Sequence, residues 1–225
     1  MSFVVAIDGP AGSGKGTVTK MVGEKLNLIN IDTGAMYRCV TLQMIQNNIN
    51  MEEKSKIEQL LKNIKIELKK EDSKEKVYLN GKDVTSKIRE KDVTSLVSQV
   101  SHIVEVRNSM VELQRKLADG KRVIMEGRDI GTNVFPNADV KIYLDASAEE
   151  RANRRFRQNK EKGVKMTYEE ILENIKFRDN NDKTSDVAPL KKAEDAVYID
   201  TSNMSIEEVV EKIIKIIENK NVTRE

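Results

Sequence analysis

A lysine behind a run of glycines opens the chemistry of this chain. Gly9-Pro10-Ala11-Gly12-Ser13-Gly14-Lys15-Gly16-Thr17 follows the apolar run Phe3-Val4-Val5-Ala6-Ile7. The spacing G-x-x-x-x-G-K, between a buried strand and a helix, predicts a phosphate-binding loop. Its glycines let the backbone wrap so that successive N–H groups point into one concavity. That concavity lies at a helix N-terminus, whose dipole favours anions. Lys15 is the expected point charge on the β- and γ-phosphates of a bound nucleotide. The helix is supported by Val18, Met21, Val22 and Leu26 at helical spacing. Gly16 stands where a serine or threonine usually follows the lysine, and Thr17 comes one place later. Thr17 is therefore the candidate hydroxyl for Mg²⁺, directly or through water.

Further candidates are charged side chains at the ends of predicted elements. Asp32-Thr33 follows the predicted strand Leu28–Ile31 and opens a helix with Arg38 on it. Either residue suits a helix N-cap, and Thr33 with Arg38 also suits a phosphate. Gly127-Arg128-Asp129 leaves the C-terminal end of the predicted strand Arg122–Met125, where open α/β sheets bind ligands. A loop ion pair is the competing reading. Arg151, Arg154, Arg155 and Arg157 share one predicted helix before Lys160-Glu161-Lys162-Gly163. That run is either a solvated basic face or an arginine-rich lid closing over a triphosphate. Arg178 and Asp182 lie four apart on a later helix, as a surface ion pair or as ligands. Arg107, taken alone, reads as a surface charge, and the single histidine, His102, as non-catalytic.

Around these residues the pattern is β-α alternating. Val140–Leu144 and Ala196–Ile199 complete a set of five buried runs. Ser147 with Glu150, Thr167 with Glu170 and Ser205 with Glu208 each predict a capping box. Val209, Ile213 and Ile216 mark the core face of the last helix. Residues 52–105 differ. A short helix at Ile57, Leu60 and Leu61 precedes two alternating runs, at 64–68 and 77–79, and then Asn80-Gly81, a hairpin signal. Lys69–Lys76 reads as a charged, solvated loop within this insertion. Val93, Leu96, Val97 and Val100, then Val106, Met110, Leu113 and Leu117, give two more helices, the second ending at Asp119-Gly120.

Composition narrows the class. At 225 residues, one α/β domain with an insertion is expected. Lys and Arg total 39 against 37 Asp and Glu, so no polybasic field argues for nucleic acid. Tryptophan is absent and aromatics make up 4%, which disfavours stacking on single strands. The lone Cys39 suits a reducing cytoplasm. No signal peptide or membrane-spanning run is evident. A monomer is expected, because no long exposed apolar stripe appears.

Gly14-Lys15-Gly16-Thr17, Ile31-Asp32-Thr33-Gly34-Ala35-Met36-Tyr37-Arg38 and Glu126-Gly127-Arg128-Asp129-Ile130-Gly131-Thr132 together resemble the bacterial cytidylate kinase family. The resemblance covers nearly the whole chain. It implies a three-layer α/β P-loop kinase over residues 1–225, with a central five-stranded parallel sheet. It also implies an inserted monophosphate-binding region with a small antiparallel sheet at 35–105, and a lid at 151–167. The implied reaction is transfer of the γ-phosphate of ATP to CMP, with dCMP as a second substrate and Mg²⁺ as cofactor. By the same resemblance, Thr33, Arg38 and Arg128 match phosphate-binding positions. Ser98, Arg107 and Asp129 match base-reading positions, and Arg178 and Asp182 ribose-contacting ones. Lys15, Arg128, Arg154, Arg155 and Arg157 are the expected catalytic charges. One departure stands out: Ser185 occupies a place where the family pattern usually has an arginine. The rival readings are another small-molecule P-loop kinase and a regulatory nucleotide-binding module. The second lacks the Asn-Lys-x-Asp guanine signature.

Overall fold

The computed structural model describes residues 2–72, 74–161 and 163–222. Ser73 of the charged insertion segment and Lys162 of the expected lid lie outside the described residues. In chain order the elements begin β1 Phe3–Asp8, α1 Lys15–Leu26, β2 Ile29–Asp32, α2 Thr33–Gln46 and α3 Lys54–Asn63. The insertion continues with β3 Ile66–Glu71, β4 Lys74–Leu79, β5 Lys82–Asp83, α4 Lys91–Val100 and α5 Val104–Ala118. The chain then runs through β6 Arg122–Gly127, β7 Val140–Asp145, α6 Ala148–Glu161, α7 Tyr168–Thr184, β8 Val197–Asp200 and α8 Ile206–Val222. It divides into two compact units, Met1–Asn30 with Ala118–Glu225, and Ile31–Leu117.

The first unit is built on a five-stranded sheet in the order β2-β6-β1-β7-β8. β1 pairs in parallel with β6 and β7, and β7 with β8. Every residue of β1 is buried, which explains its unbroken apolar sequence. Val5, Ile7, Ile124, Ile142, Leu144 and Ile199 pack with Val22 of α1 and Val210, Ile213 and Ile217 of α8. Burying each such side chain contributes about 1.5–3 kcal/mol. The parallel register puts Asp8 beside Gly127 and Asp145 beside Asp200. The segments leaving β1, β6, β7 and β8 therefore emerge along one carboxyl edge of the sheet.

In the second unit, α3 and α4 pack on α2. The hairpin signal is met, with Asn80 and Gly81 at φ 50° and 79°, the positive-φ pair of a tight turn between β4 and β5. Lys69–Lys76 is not the expected loop. Glu67 through Glu71 pair antiparallel with Lys74 through Tyr78. Apart from half-buried Lys76, the described residues of this segment are exposed, so no apolar alternation marked it, and a charged two-stranded ribbon looks like a loop in sequence.

The capping boxes at Thr167–Glu170 and Ser205–Glu208 form in both directions. The one at Ser147 forms only half. Ser147 Oγ accepts Glu150 N at 3.1 Å, but the Glu150 carboxylate pairs with Arg154 and Ser147 N donates to Ser202 Oγ instead.

Candidate active site

Gly9 begins the loop with no room for a side chain, because a Cβ there would lie 2.0 Å from the Leu144 carbonyl oxygen. Lys15 is folded back into the loop it serves. Its Nζ donates to Gly9 O at 2.8 Å and Pro10 O at 2.7 Å, with Ser13 Oγ at 3.4 Å. Burial, and then the Arg128 guanidinium, pull the ammonium well below the ordinary lysine range. Gly16 is also tightly placed. A Cβ at that position would come within 3.1 Å of Glu126 Oε1, a tight contact that a larger residue would meet by displacing that carboxylate slightly. Thr17 is exposed on the first turn of α1.

Arg128 donates through Nε to Asp182 Oδ2 at 2.8 Å. Asp182 is buried on α7, so this contact joins α7 to the segment that leaves β6. Asp129 is also buried and accepts from Asn133 Nδ2 at 2.9 Å.

The arginines of α6 have unlike environments. Arg151 is 3% exposed. It forms a two-pronged pair with Asp179 of α7, at 3.0 and 2.5 Å, and also donates to Ala11 O and Ala146 O. It is an anchor between the phosphate loop and α7. Arg154 bonds Glu150, Thr201 Oγ1 and Thr201 O, and its Nη1 lies 3.9 Å from where a Gly14 Cβ would be. Its guanidinium therefore lies over the phosphate loop. Arg155 and Arg157 are exposed.

In the second unit, Asp32 is the N-cap of α2 and also pairs with Arg38. Oδ1 accepts Ala35 N at 2.9 Å as the cap of α2, and Oδ2 pairs with Arg38 Nη2 at 3.1 Å. Arg89 Nη2 lies 3.9 Å from the same oxygen. Thr33 is buried one residue inside the helix. Arg107 is not the surface charge its isolated sequence suggests. It is 5% exposed, donates Nε to Ser101 O at 3.0 Å and lies 5.3 Å from the Tyr37 ring. The Ser98 hydroxyl is buried with no hydrogen-bond partner among the described residues. Cys39, beside this cluster on α2, is buried, and its thiol is pushed up to about 12, mainly by burial.

Sequence reasoning missed Asp8, Asp179, Thr201 and Arg89; it read Glu126 only as part of a motif and Arg151 only as one of a run of lid arginines. Asp8 and Glu126 carried a usable signal, since each is a lone carboxylate ending an apolar strand at the ligand edge. Arg151 carried none, because nothing separates a buried arginine from its exposed neighbours on a charged helix.

Among the described residues, no group of three or more His, Cys, Asp or Glu side chains could hold a metal ion. No helix among them is long and apolar enough to cross a membrane.

Residues 5–219 match the family model described as Cytidylate kinase. The cytidylate kinase of Fusobacterium nucleatum subsp. nucleatum is 51% identical over 217 residues, covering 96% of this chain and 98% of that one. The cytidylate kinase of Bacillus subtilis (strain 168) is 48% identical over 217 residues, covering 96% and 97%. A crystal structure of a gluconokinase from Sinorhizobium meliloti 1021 superposes with a TM-score of 0.52 at 10% identity, covering 97% of this chain and 93% of that one. That last likeness concerns the fold alone.

Proposed function

The chain belongs to the cytidylate kinase family, and from that membership we infer that it transfers the γ-phosphate of ATP to CMP and dCMP, releasing ADP. The observation that carries the reading within the molecule is Lys15, held inside a glycine loop at the carboxyl edge of the sheet, with Arg154 over that loop.

A phosphate oxygen of CMP attacks the γ-phosphorus of ATP. The new P–O bond forms as the bond to the β-bridging oxygen breaks, and ADP leaves with that electron pair. The acceptor oxygen is already ionised at neutral pH, so no side chain has to remove a proton. The protein's task is alignment and charge neutralisation. Residues Gly9–Thr17 cradle the triphosphate, and Lys15 turns outward from the loop carbonyls onto it. Arg128, Arg154, Arg155 and Arg157 neutralise the transferring group as residues 151–167 close and exclude water.

Mg²⁺ fits this arrangement. It is commonly held by nucleotide phosphates and water rather than by an all-protein cage, and Thr17 supplies an exposed hydroxyl at the right turn. When bound, the ion neutralises charge on the β- and γ-oxygens.

On the acceptor side the family pattern assigns Thr33, Arg38 and Arg128 to the phosphate. It assigns Ser98, Arg107 and Asp129 to the base, and Arg178 and Asp182 to the ribose. The buried Ser98 hydroxyl, still wanting a partner, supports its assignment. A carboxylate at Asp129 accepts from the exocyclic amine of cytosine and faces a carbonyl in uracil, which selects cytosine. We place the enzyme in the cytoplasm as a monomer, consistent with its single unpaired cysteine.

The test is an ATP-dependent assay with CMP, dCMP, UMP and AMP on wild type and Lys15→Ala. CMP and dCMP should be the best acceptors. Lys15→Ala should lose orders of magnitude in turnover while binding CMP nearly as before. Equal use of all four acceptors, or near-normal turnover in the variant, overturns the reading.

A further inference from the structure

Asp8 ends β1 immediately before Gly9, and no phosphate-binding or base-reading role falls to it above. It is 5% exposed. Its Oδ1 accepts Ile130 N at 2.7 Å and its Oδ2 accepts Gly131 N at 2.7 Å. Both donors belong to the single π-type turn Ile130–Val134, which directly follows Arg128-Asp129. A carboxylate accepting two backbone N–H groups in a buried setting is a strong and geometrically exacting contact.

Gly131 is shaped to this contact. A Cβ there would lie 3.3 Å from Asp8 Oδ2 and 3.2 Å from Lys141 Cδ, so a side chain at 131 would press on the Asp8 carboxylate and on Lys141. Within the same turn, Asn133 Nδ2 donates to Asp129 Oδ2 at 2.9 Å, and Asn133 N and Val134 N both donate to Asp129 O. Asp129 is thus oriented by the turn, and the turn hangs on Asp8.

We propose that Asp8 is a positioning residue for base recognition: through the turn 130–134 it fixes the Asp129 carboxylate, while Gly9, its chain neighbour, starts the phosphate loop. The proposal rests on the reading of Asp129 as a base-reading residue. Asp8 touches no substrate in this role. It ties donor-side and acceptor-side loops to the end of one strand, so that neither shifts without the other.

The experiment measures kcat/KM for CMP and for UMP, and KM for ATP, in wild type, Asp8→Asn, Gly131→Ala and Asp129→Ala. Asparagine keeps the size of Asp8 but accepts at one oxygen and turns an NH₂ toward the second N–H. Asp8→Asn should lower kcat/KM for CMP by about 10–100-fold, the scale of a small misplacement at a reacting site. UMP should lose less, so the CMP preference contracts, and KM for ATP should stay unchanged. Gly131→Ala should reproduce the pattern with Asp8 in place, and it carries the test if Asp8→Asn does not fold. A CMP-to-UMP ratio preserved in Asp8→Asn or Gly131→Ala while Asp129→Ala collapses it overturns the link through Asp8. An unchanged ratio in Asp129→Ala overturns the proposal from beneath, by removing the base reading. A rise in KM for ATP as large as the loss on CMP would show that Asp8 acts on the phosphate loop instead.

Discussion

Arg128 Nε and Asp182 Oδ2 stand 2.8 Å apart, joining the end of β6 to α7 across 54 residues of chain. The Asp182 side chain is 9% exposed and that of Arg128 27%. The carboxylate is the buried partner, and it holds the arginine at the edge of the sheet.

The pair should therefore be lopsided in its response to mutation. Arg128→Ala leaves a buried carboxylate without its cation and should destabilise the fold by about 1–3 kcal/mol. Asp182→Asn frees a guanidinium that can reach water and should cost less. Urea unfolding of both single variants and the double variant gives the coupling, expected within about 0.5–3 kcal/mol. Strict additivity would mean that the two side chains do not stabilise each other.

The lid arginines should separate by environment. Arg154 is held over the phosphate loop by Thr201 and Glu150, whereas Arg155 and Arg157 are exposed. Arg154→Ala should lower kcat most, with its unfolding midpoint little changed. Steady-state kinetics on the three single variants checks the ranking. Equal, negligible effects from all three would reduce the run to a solvated face.

Ser185 caps the C-terminal end of α7, and its hydroxyl is occupied with Val187, donating to its carbonyl at 3.0 Å. It offers no cation where the family pattern usually has an arginine. Ser185→Arg should tighten CMP binding by at most about 1.5–3 kcal/mol, the range of a charged hydrogen bond. Titration calorimetry at one fixed salt concentration measures the difference. Unchanged or weaker binding would show that the remaining arginines already complete the site, or that position 185 points away from it.

Asp8 should leave a mark on the pH dependence of stability. Burial raises its pKa from 3.8 to about 6, against the lowering by the Gly131 and Ile130 N–H groups. Asp129 raises it further and Lys15 lowers it. Between those two values the folded chain binds more protons than the unfolded one, so this group's contribution falls as pH rises from about 4 to about 6. Asp8→Asn removes that component. The stability of wild type relative to Asp8→Asn, followed by thermal unfolding over that window, should therefore decline with rising pH. A difference flat or rising with pH would contradict the raised pKa.

The legible parts of this molecule were those where a local pattern and the tertiary structure agree. The five apolar runs became the five sheet strands: the central β1, β6 and β7 are largely buried, as strands covered on both faces must be, whereas β2 and β8 lie at the sheet edges and are only partly buried. Asn80-Gly81 foretold a turn because positive φ at two successive positions is chemically rare. The phosphate loop was legible for the same reason. Residues 69–76 were illegible because a ribbon with water on both sides has no core face to imprint a period-two pattern. Within the candidate site, the charged residues were readable as candidates, but their partners were not. That Arg128 would choose Asp182, Arg151 would choose Asp179 and Asp8 would choose two backbone amides depends on contacts between residues far apart in sequence. No spacing rule encodes those contacts.

The burial of Cys39 makes the native chain nearly blind to thiol chemistry. With its only sulfhydryl inside α2 and its thiolate out of reach at ordinary pH, a maleimide dye should leave the folded protein unlabelled. A single cysteine placed at an exposed position, such as Arg155→Cys on α6, would then carry the dye alone. Paired with a second introduced cysteine in the 31–117 unit, it would allow distances between the parts to be followed by energy transfer as nucleotides are added, without first removing a native thiol.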